Sequence, residues 1–191
     1  MTEKQAIYYE LLVLQCQQGQ KDALEELVRS WEKRLFFYVR RLVDDEQAAW
    51  QILQQIWLKV LRSIKKLRQP RKLPAWLYTI ARNTAISYLR TKYSEQVLFE
   101  ANADVSNIED SNSILNFDNA EQVYYGLGRI SLPHREVLTL FFLQDLSIDE
   151  IAEVLGISVG TVKSRLHYAK RALKTILEVE DSSYESIKQN L

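Results

Sequence analysis

Apolar residues recur at three- and four-residue steps along two successive stretches of the N-terminal half. The stretch "DALEELVRSWEKRLFFYVRRLV" places Leu27, Trp31, Leu35 and Leu42 on one face, and "QAAWQILQQIWLKVLRSI" repeats the pattern. This is the period of amphipathic α-helices that bury one face. Only five glycines and three prolines interrupt the 191 residues, which favours helices over strands. We therefore expect an all-α protein. The predicted inward residues of the second stretch are Leu53, Ile56, Trp57, Val60, Leu61 and Ile64.

Several classes of protein are disfavoured by composition. The N-terminus, "MTEKQAIYYE", contains no apolar run of signal-peptide length, and "VLTLFFL" is too short to cross a bilayer. A lone Cys16 excludes an internal disulfide, and one cysteine with two histidines makes no credible zinc set. We expect a cytoplasmic protein without a metal or another cofactor.

Charge is segregated along the chain although the net charge is zero. Residues 59–92 contain ten Lys or Arg and no Asp or Glu, and residues 158–174 contain five bases and no acid. Between these blocks, residues 93–128 carry seven acids and no Lys or Arg. A single charged run is usually a solvated face, but two acid-free basic blocks around an acidic spacer favour a nucleic-acid partner.

The acidic spacer also marks a boundary between two domains. Residues 94–119 are rich in Asn, Ser, Asp and Glu and show no sustained helical period. We predict two small helical domains, 1–93 and 120–178, joined by an acidic flexible linker at 94–119 and followed by an acidic tail at 179–191.

The first basic block combines a proline-bounded loop with an aromatic-bearing helix. Pro70 and Pro74 break the helical pattern, leaving a basic loop from about Lys65 to Leu73. Cations that hold phosphates beside aromatic rings that receive unstacked bases suit single-stranded nucleic acid. Trp76 is as readily explained as a core residue, because it lies one turn from Ile80.

One face of the helix before this loop is made of amides. Gln51, Gln54, Gln55 and Leu58 lie opposite the apolar stripe, and Trp50 is close by. A glutamine face is usually hydrated, but the added apolar area makes a protein partner plausible.

The second basic block lies in a predicted helix-turn-helix, "LSIDEIAEVLGISVGTVKSRLHYAKRAL". Ser147 and Glu150 form a capping-box pattern, Gly156 suits the left-handed end of the first helix, and Ser158 can cap the second. Gly160 lowers helix stability by roughly 1 kcal/mol relative to Ala, which is understandable if backbone approaches DNA closely. The predicted inward stripe of the second helix is Val159, Val162, Leu166, Ala169, Leu173 and Ile176, and the predicted outer residues are Gly160, Ser164, His167, Tyr168 and Arg171.

Two motifs together resemble one family. "LPHREVLTLFFLQDLSIDEIAEVLGISVGTVKSRLHYAKRAL" resembles the fourth region of sigma factors, and "LPAWLYTIARNTAISYLR" resembles their second region. Their order, with a linker between them and no third domain, is similar to the extracytoplasmic-function group of the sigma-70 family. The resemblance implies a dissociable specificity subunit and no enzyme activity. Its implied partners are core RNA polymerase, promoter DNA and an anti-sigma factor.

The resemblance also assigns roles to residues. The N-terminal domain would dock on core polymerase and capture the −10 element as its strands separate, receiving an extruded base near the basic loop. The C-terminal domain would recognise the −35 element as duplex. The implied −35 residues are Ser158, Thr161, Lys163, Ser164, Arg165, His167, Tyr168 and Arg171. The implied −10 residues are Lys65, Lys66, Arg68, Arg71, Lys72, Trp76, Arg82, Asn83, Arg90 and Lys92. The implied core polymerase interface is Gln51, Gln54, Gln55 and Leu58, with Gln51 and Gln55 standing where relatives usually carry carboxylates.

Two other hypotheses remain compatible with the residues alone. A helix-turn-helix activator or repressor would bind duplex tightly without core polymerase. An enzyme acting on single-stranded nucleic acid would need paired carboxylates, a metal cluster or a phosphate-binding glycine loop, and the basic block contains no acid.

Overall fold

The computed structural model describes residues 3–43, 45–92 and 120–188. Within these ranges the regular elements are helices, with no strand, which confirms the all-α prediction. The predicted linker, 94–119, and the last three residues of the predicted tail lie outside the described residues.

Four α-helices form the N-terminal half. They are α1 (Glu3–Gln17), α2 (Lys21–Leu42), α3 (Glu46–Ser63) and α4 (Leu73–Lys92). Asp45 caps α3, its carboxylate accepting hydrogen bonds from the backbone N–H groups of Gln47 and Ala48 at 2.8 and 3.3 Å. The predicted basic loop is made of two 3₁₀ turns, Ile64–Lys66 and Pro70–Lys72, and leads directly into α4.

The C-terminal half continues the helical pattern with shorter elements and one long helix. These are α5 (Ala120–Arg129), α6 (Leu132–Leu138), a π-helical turn (Thr139–Leu143), α7 (Ile148–Leu155) and α8 (Val159–Lys188). α8 extends beyond residue 178, where the sequence suggests that the domain ends, so most of the predicted tail continues this helix.

The core of the N-terminal half is aromatic. Trp31 and Tyr38 of α2 and Tyr78 of α4 are fully buried, and Tyr78 makes edge-to-face contacts with both of the others, with ring centroids 6.0 and 5.3 Å apart. Each such pair contributes about 0.5–1.5 kcal/mol beyond the area it buries. These rings fix α4 against α2.

Periodicity predicts most of the buried faces correctly but fails at two positions. Val162 and Ala169 of α8 are fully buried as expected. Val159, in contrast, is 36% exposed because it lies at the start of α8, and Leu61 of α3 is 43% exposed. The spacing of apolar residues shows which face of a helix is apolar. Whether the residues at the edge of that face are buried depends on which neighbouring helix covers them.

The two halves pack against each other rather than standing apart. α4 packs along α7, and α2 contacts α6. Phe37 of α2 lies edge-on to Tyr124 of α5, with centroids 5.6 Å apart, and the guanidinium of Arg41 lies 4.3 Å from the Tyr124 ring centroid. Buried residues from both halves therefore form one continuous core.

Candidate nucleic-acid interface

The turn of the helix-turn-helix is built by the residues that the sequence singles out. The backbone N–H of Glu150 donates to Ser147 Oγ at 3.2 Å, and the backbone N–H of Ser147 donates to Glu150 Oε2 at 2.8 Å. This reciprocal pair is the predicted capping box, which satisfies two N–H groups at the start of α7. Gly156 ends α7 with a φ of +67°, which is the left-handed conformation that glycine adopts readily after a helix.

α8 begins with a second side-chain cap. The Thr161 backbone N–H donates to Ser158 Oγ at 3.0 Å, and the two hydroxyls lie 2.8 Å apart. This confirms Ser158 as the cap. The Ser158 and Thr161 hydroxyl groups thus stabilise the N-terminus of α8. At a helix N-terminus, backbone N–H groups and the helix dipole favour binding of an anion such as a DNA phosphate.

The predicted −35 residues divide into an exposed group and a half-buried group. Ser158, Lys163, Ser164 and Arg171 are exposed. The half-buried members are Thr161, Arg165, His167 and Tyr168. The exposed group provides two hydroxyls and two cations along the outer side of α8, whereas the half-buried group is partly covered by the protein itself.

Gly160 is exposed at the start of α8 and faces open space. A Cβ built at this position would meet only Ser158 Oγ, at 3.7 Å, which is an ordinary van der Waals distance. Packing inside the protein therefore does not require a glycine here.

The basic loop is held in place by α1, a helix that sequence reasoning missed. Gln17 Nε2 donates to the carbonyl oxygens of Ile64 and Leu67 at 3.0 and 2.9 Å. Arg71 Nε donates to Glu10 Oε2 at 2.8 Å. Lys65, Lys66 and Arg68 are exposed in this loop.

Two predicted −10 cations contact carboxylates of the C-terminal half. Arg82 Nε lies 2.8 Å from Glu136 Oε1, and its NH2 group donates to Glu136 Oε2 at 3.4 Å. The Arg82 side chain is 23% exposed and that of Glu136 only 3%. Lys72 Nζ lies 2.9 Å from Glu153 Oε2, with both side chains about half exposed.

Glu136 is the most deeply buried carboxyl of this region. Desolvation by burial raises its pKa, while the charge and hydrogen bonds of Arg82, the charge of Arg165 and the Tyr38 hydroxyl lower it. Tyr38 donates to Glu136 Oε1 at 3.5 Å. The net upward shift means that burial outweighs its partners.

The remaining −10 residues lie on α4. Asn83, Arg90 and Lys92 are exposed, whereas Trp76 is half-buried and packs against the core, in agreement with its alternative interpretation. The structure thus places part of the predicted set on the surface and part within contacts of the protein itself.

The predicted core polymerase interface is a surface of α3. Gln51, Gln54 and Gln55 are exposed, and Leu58 is 52% exposed. Trp50, 42% exposed, extends this face and stacks on Phe36 with centroids 4.2 Å apart. The face offers amides and apolar area, which suit a protein surface.

Other kinds of site find no support in the part of the chain that the structure describes. It holds no group of three or more His, Cys, Asp or Glu side chains arranged for a metal ion. Within the same ranges, no helix combines the length and apolar character needed to cross a membrane.

Comparison with known proteins identifies both halves. The model of Sigma-70 region 2 matches residues 27–95, and that of Sigma-70, region 4 matches residues 126–173. The chain is 32% identical over 157 residues to RNA polymerase sigma factor SigZ of Bacillus subtilis (strain 168), covering 81% of this chain and 87% of SigZ. It is 30% identical over 178 residues to the ECF RNA polymerase sigma-E factor of Haemophilus influenzae (strain ATCC 51907 / DSM 11121 / KW20 / Rd), covering 87% of this chain and 94% of the relative.

Solved structures share the fold. CnrH, in complex with the cytosolic domain of CnrY, superposes with a TM-score of 0.68 at 22% identity, covering 90% of this chain and 97% of CnrH. The sigma factor RpoE, in complex with the anti-sigma factor NepR from Bartonella quintana, gives a TM-score of 0.64 at 21% identity, covering 81% and 96%. Because two region models match in the expected order and relatives at 30% identity or more align over most of both chains, this chain belongs to the extracytoplasmic-function group of the sigma-70 family of RNA polymerase sigma factors.

Proposed function

We propose that this sigma factor divides its work between its two halves. Residues 1–93 bind core RNA polymerase and the −10 element, and residues 120–178 bind the −35 element as duplex. Like other sigma factors, the chain directs promoter-specific initiation and is not itself an enzyme. Because core polymerase and promoter DNA are its partners, we place it in the cytoplasm.

The observation that carries the proposal is the capped, basic start of α8. Its exposed Lys163 and Arg171 can bind phosphates or guanine edges, and its N-terminal N–H groups can bind a phosphate. The capping box and Gly156 set the angle at which α8 leaves α7. In helix-turn-helix proteins the N-terminal residues of such a second helix contact base edges in the DNA major groove.

The proposed contact with the −10 element is made by the basic loop and α4. Lys65, Lys66 and Arg68 give the loop an exposed cationic surface, and Gln17 fixes the backbone beneath it. A preorganised cationic loop can hold the phosphates of an opened strand while Asn83, on the helix that follows the loop, reads the edge of a base.

The α3 face supplies the proposed contact with core polymerase. Its exposed centre contains amides and Leu58 instead of carboxylates. Binding through amides and apolar area is screened little by salt, unlike binding through ion pairs. We therefore propose that core association survives salt concentrations that weaken the DNA contacts.

An anti-sigma factor is a further proposed partner. CnrH and RpoE of the solved complexes share this fold, and each was determined with a protein bound to it. A surface that presents cations and exposed apolar side chains together is suited to an inhibitor that competes with polymerase or DNA.

Reconstituted transcription tests the proposal. Purified core RNA polymerase plus this protein should initiate at defined start sites on a genomic template library. Core alone supplies the control. Equal initiation by core alone at the same sites, or no association with core in a pull-down, would refute the sigma function. Tight duplex binding by the free protein with no effect on core would favour the activator or repressor alternative.

A pair of substitutions tests the division of labour. Lys163→Ala with Arg171→Ala should weaken initiation at promoters with a −35 element by about tenfold or more while core binding is unchanged, because each cation contributes about 1–3 kcal/mol to a good base contact. Arg129→Ala with Lys174→Ala removes the same charge from exposed positions outside the predicted set. Loss of core binding by the first pair, or equal losses of initiation by both pairs, would contradict the assignment.

A further inference from the structure

One face of α1 carries polar side chains at a seven-residue spacing. They belong to Glu3, Glu10 and Gln17. Because seven residues make about two turns of an α-helix, these side chains lie on the same face. Each of them bonds to a residue of the basic loop. α1 therefore has, beside the face that it buries, a polar face that binds the loop.

Gln17 holds the first turn of the loop. Its side-chain amide donates to the carbonyl oxygens of Ile64 and Leu67 at 3.0 and 2.9 Å. The backbone N–H of Leu67 donates to the same Ile64 oxygen at 3.1 Å. The two carbonyls bracket Lys65 and Lys66 in the chain, and both lysines are exposed. One amide group thus fixes the backbone that presents two cations.

The second turn of the loop is held by ion pairs. Arg71 Nε donates to Glu10 Oε2 at 2.8 Å, and Arg71 Nη1 lies 3.6 Å from Glu3 Oε1. Arg71 and Glu3 have side chains 59% and 73% exposed, so solvent and salt screen their attraction. The Gln17 amide is uncharged and its side chain is half-buried, so its two hydrogen bonds are not weakened in this way. Gln17 is therefore the lasting link between α1 and the loop.

The tip of the loop lies between these two turns. Arg68 and Gln69 are exposed there, and the Gln69 carbonyl oxygen accepts from the backbone N–H of Lys72 at 2.9 Å. Turns of the 3₁₀ type are short and have poorer hydrogen-bond geometry than an α-helix. A loop made of two such turns depends on bonds from outside the loop to keep a single shape.

This support lies outside the region that defines the family. The Sigma-70 region 2 match covers residues 27–95, whereas α1 ends at Gln17. The loop itself lies within the match. The aromatic pairs that join α2 to α4 are made by Trp31, Tyr38 and Tyr78, without Gln17. Loss of the Gln17 amide therefore releases the loop and leaves this aromatic cluster in place.

We propose that Gln17 is a positioning residue for promoter opening: its amide holds the basic loop in the shape that captures the −10 strand. This inference rests on the proposed function, in which the loop binds that strand. A loop that is already ordered loses less conformational freedom when the strand binds. The proposed −35 surface on α8 and the proposed core surface on α3 do not include the loop. Gln17 thus acts on strand opening and not on closed-complex formation.

Hydrogen–deuterium exchange of the full chain, without polymerase or DNA, tests the hold on the loop. Gln17→Met keeps the length of the side chain and removes both donors. Backbone amides of residues 65–72 should then exchange about fivefold faster or more, because two hydrogen bonds to the loop are lost. Gln18→Met changes an exposed neighbour and should leave this exchange as in the wild type. Unchanged exchange in Gln17→Met, with its helices intact by circular dichroism, would refute the hold on the loop.

The kinetics of promoter opening test the positioning role. A fluorescent base analogue in the −10 element reports opening, and a series of holoenzyme concentrations separates closed-complex affinity from the opening rate constant. Gln17→Met should lower the opening rate constant about tenfold and leave closed-complex affinity within about twofold of the wild type. Partial unfolding would do the reverse, because fewer active molecules weaken the apparent affinity while the rate at saturation stays the same. Gln18→Met should match the wild type in both quantities.

Each outcome separates the inference from the function on which it rests. Equal opening rates, with faster exchange in the loop, would overturn the positioning role, and so would a loss confined to closed-complex affinity. Absence of opening by the wild type would refute the proposed function and its −10 step, whereas exchange would still decide whether Gln17 holds the loop. Should Gln17→Met lose its helices, Gln17→Glu, which has the native shape and no N–H donor, decides by the same criteria.

Discussion

Gly160 lies in the first turn of α8 with open space where a side chain would project. A Cβ there would meet only Ser158 Oγ, at 3.7 Å, so Gly160→Ala introduces no clash within the protein. Alanine restricts the unfolded chain and favours helix, worth about 0.5–1 kcal/mol in a helix interior and the lower end of that range in a first turn. We expect the melting temperature to rise by about 1–2 °C, since 1 kcal/mol corresponds to about 2–4 °C in a chain of this size.

Binding to promoter DNA should change in the opposite direction. If the backbone at Gly160 approaches DNA closely, the added methyl group separates the helix N-terminus from a phosphate. Loss of one hydrogen bond to a charged group costs about 1.5–3 kcal/mol, or roughly ten- to a hundredfold in affinity. The assay is titration of the reconstituted holoenzyme onto a labelled promoter duplex with a −35 element at one fixed salt concentration, because affinity for DNA depends strongly on salt.

Gly128→Ala is the matched control. Gly128 is also exposed and helical, and a Cβ there would meet nothing within 4 Å, but it lies on α5 outside the predicted −35 residues. Both variants should be at least as stable as the wild type, and only Gly160→Ala should lose affinity. A Gly160→Ala protein that gains stability and binds the promoter as tightly as the wild type would refute close approach as the reason for this glycine.

Three further predictions concern the supports of the interface. Gln17→Ala should lower the free energy of unfolding by about 1–2 kcal/mol in urea titration, because two loop carbonyls lose their donor; Gln18→Ala, a neighbouring exposed change, should have little effect. Ser147→Ala should cost about 1 kcal/mol by loss of the capping box, and unchanged stability would contradict that role. Burial raises the pKa of Glu136 against the effect of Arg82, so its contribution to stability is complete below the unfolded pKa of about 4.3 and is lost as the pH rises through the raised value. The stability of the wild type minus that of Glu136→Gln should therefore fall as the pH rises above about 4.3, and a rise would contradict the upward shift.

Local chemistry made the helix-turn-helix predictable from sequence. The capping box of Ser147 and Glu150, the left-handed Gly156 and the Ser158 cap each depend on residues within three positions of one another. Such short-range patterns fix backbone geometry without knowledge of the rest of the fold. The family resemblance carried by the two motifs then identified the function, which the local patterns alone left open.

α1 escaped prediction because its apolar residues do not lie on one face. Leu12 and Val13 are buried, whereas Ile7, Leu11 and Leu14 are 44–56% exposed. A helix with apolar residues on both sides lacks the single stripe that periodicity detects. Its role in supporting the basic loop depends on contacts between residues 47 and 50 positions apart, which no local pattern contains.

The acid-free block at residues 59–92 is basic in sequence but is partly neutralised in three dimensions. Arg71 pairs with Glu10, Lys72 with Glu153, and Arg82 with Glu136, across sequence separations of 61, 81 and 54 residues. A charge run therefore overstates the positive charge that DNA meets on the folded chain.

These three cations do not become available to DNA in the same way. The carboxylate partners of Arg71 and Lys72 have side chains 36% and 48% exposed, so solvent and salt screen these two ion pairs and a phosphate can replace the carboxylates. The side chain of Glu136 is 3% exposed and that of Arg82, with which it pairs, is 23% exposed, so a phosphate that replaced the Glu136 carboxylate would have to disrupt a largely desolvated ion pair. The folded chain thus divides one uniformly basic stretch into cations whose ion pairs are screened by solvent and one cation, Arg82, whose ion pair is largely buried.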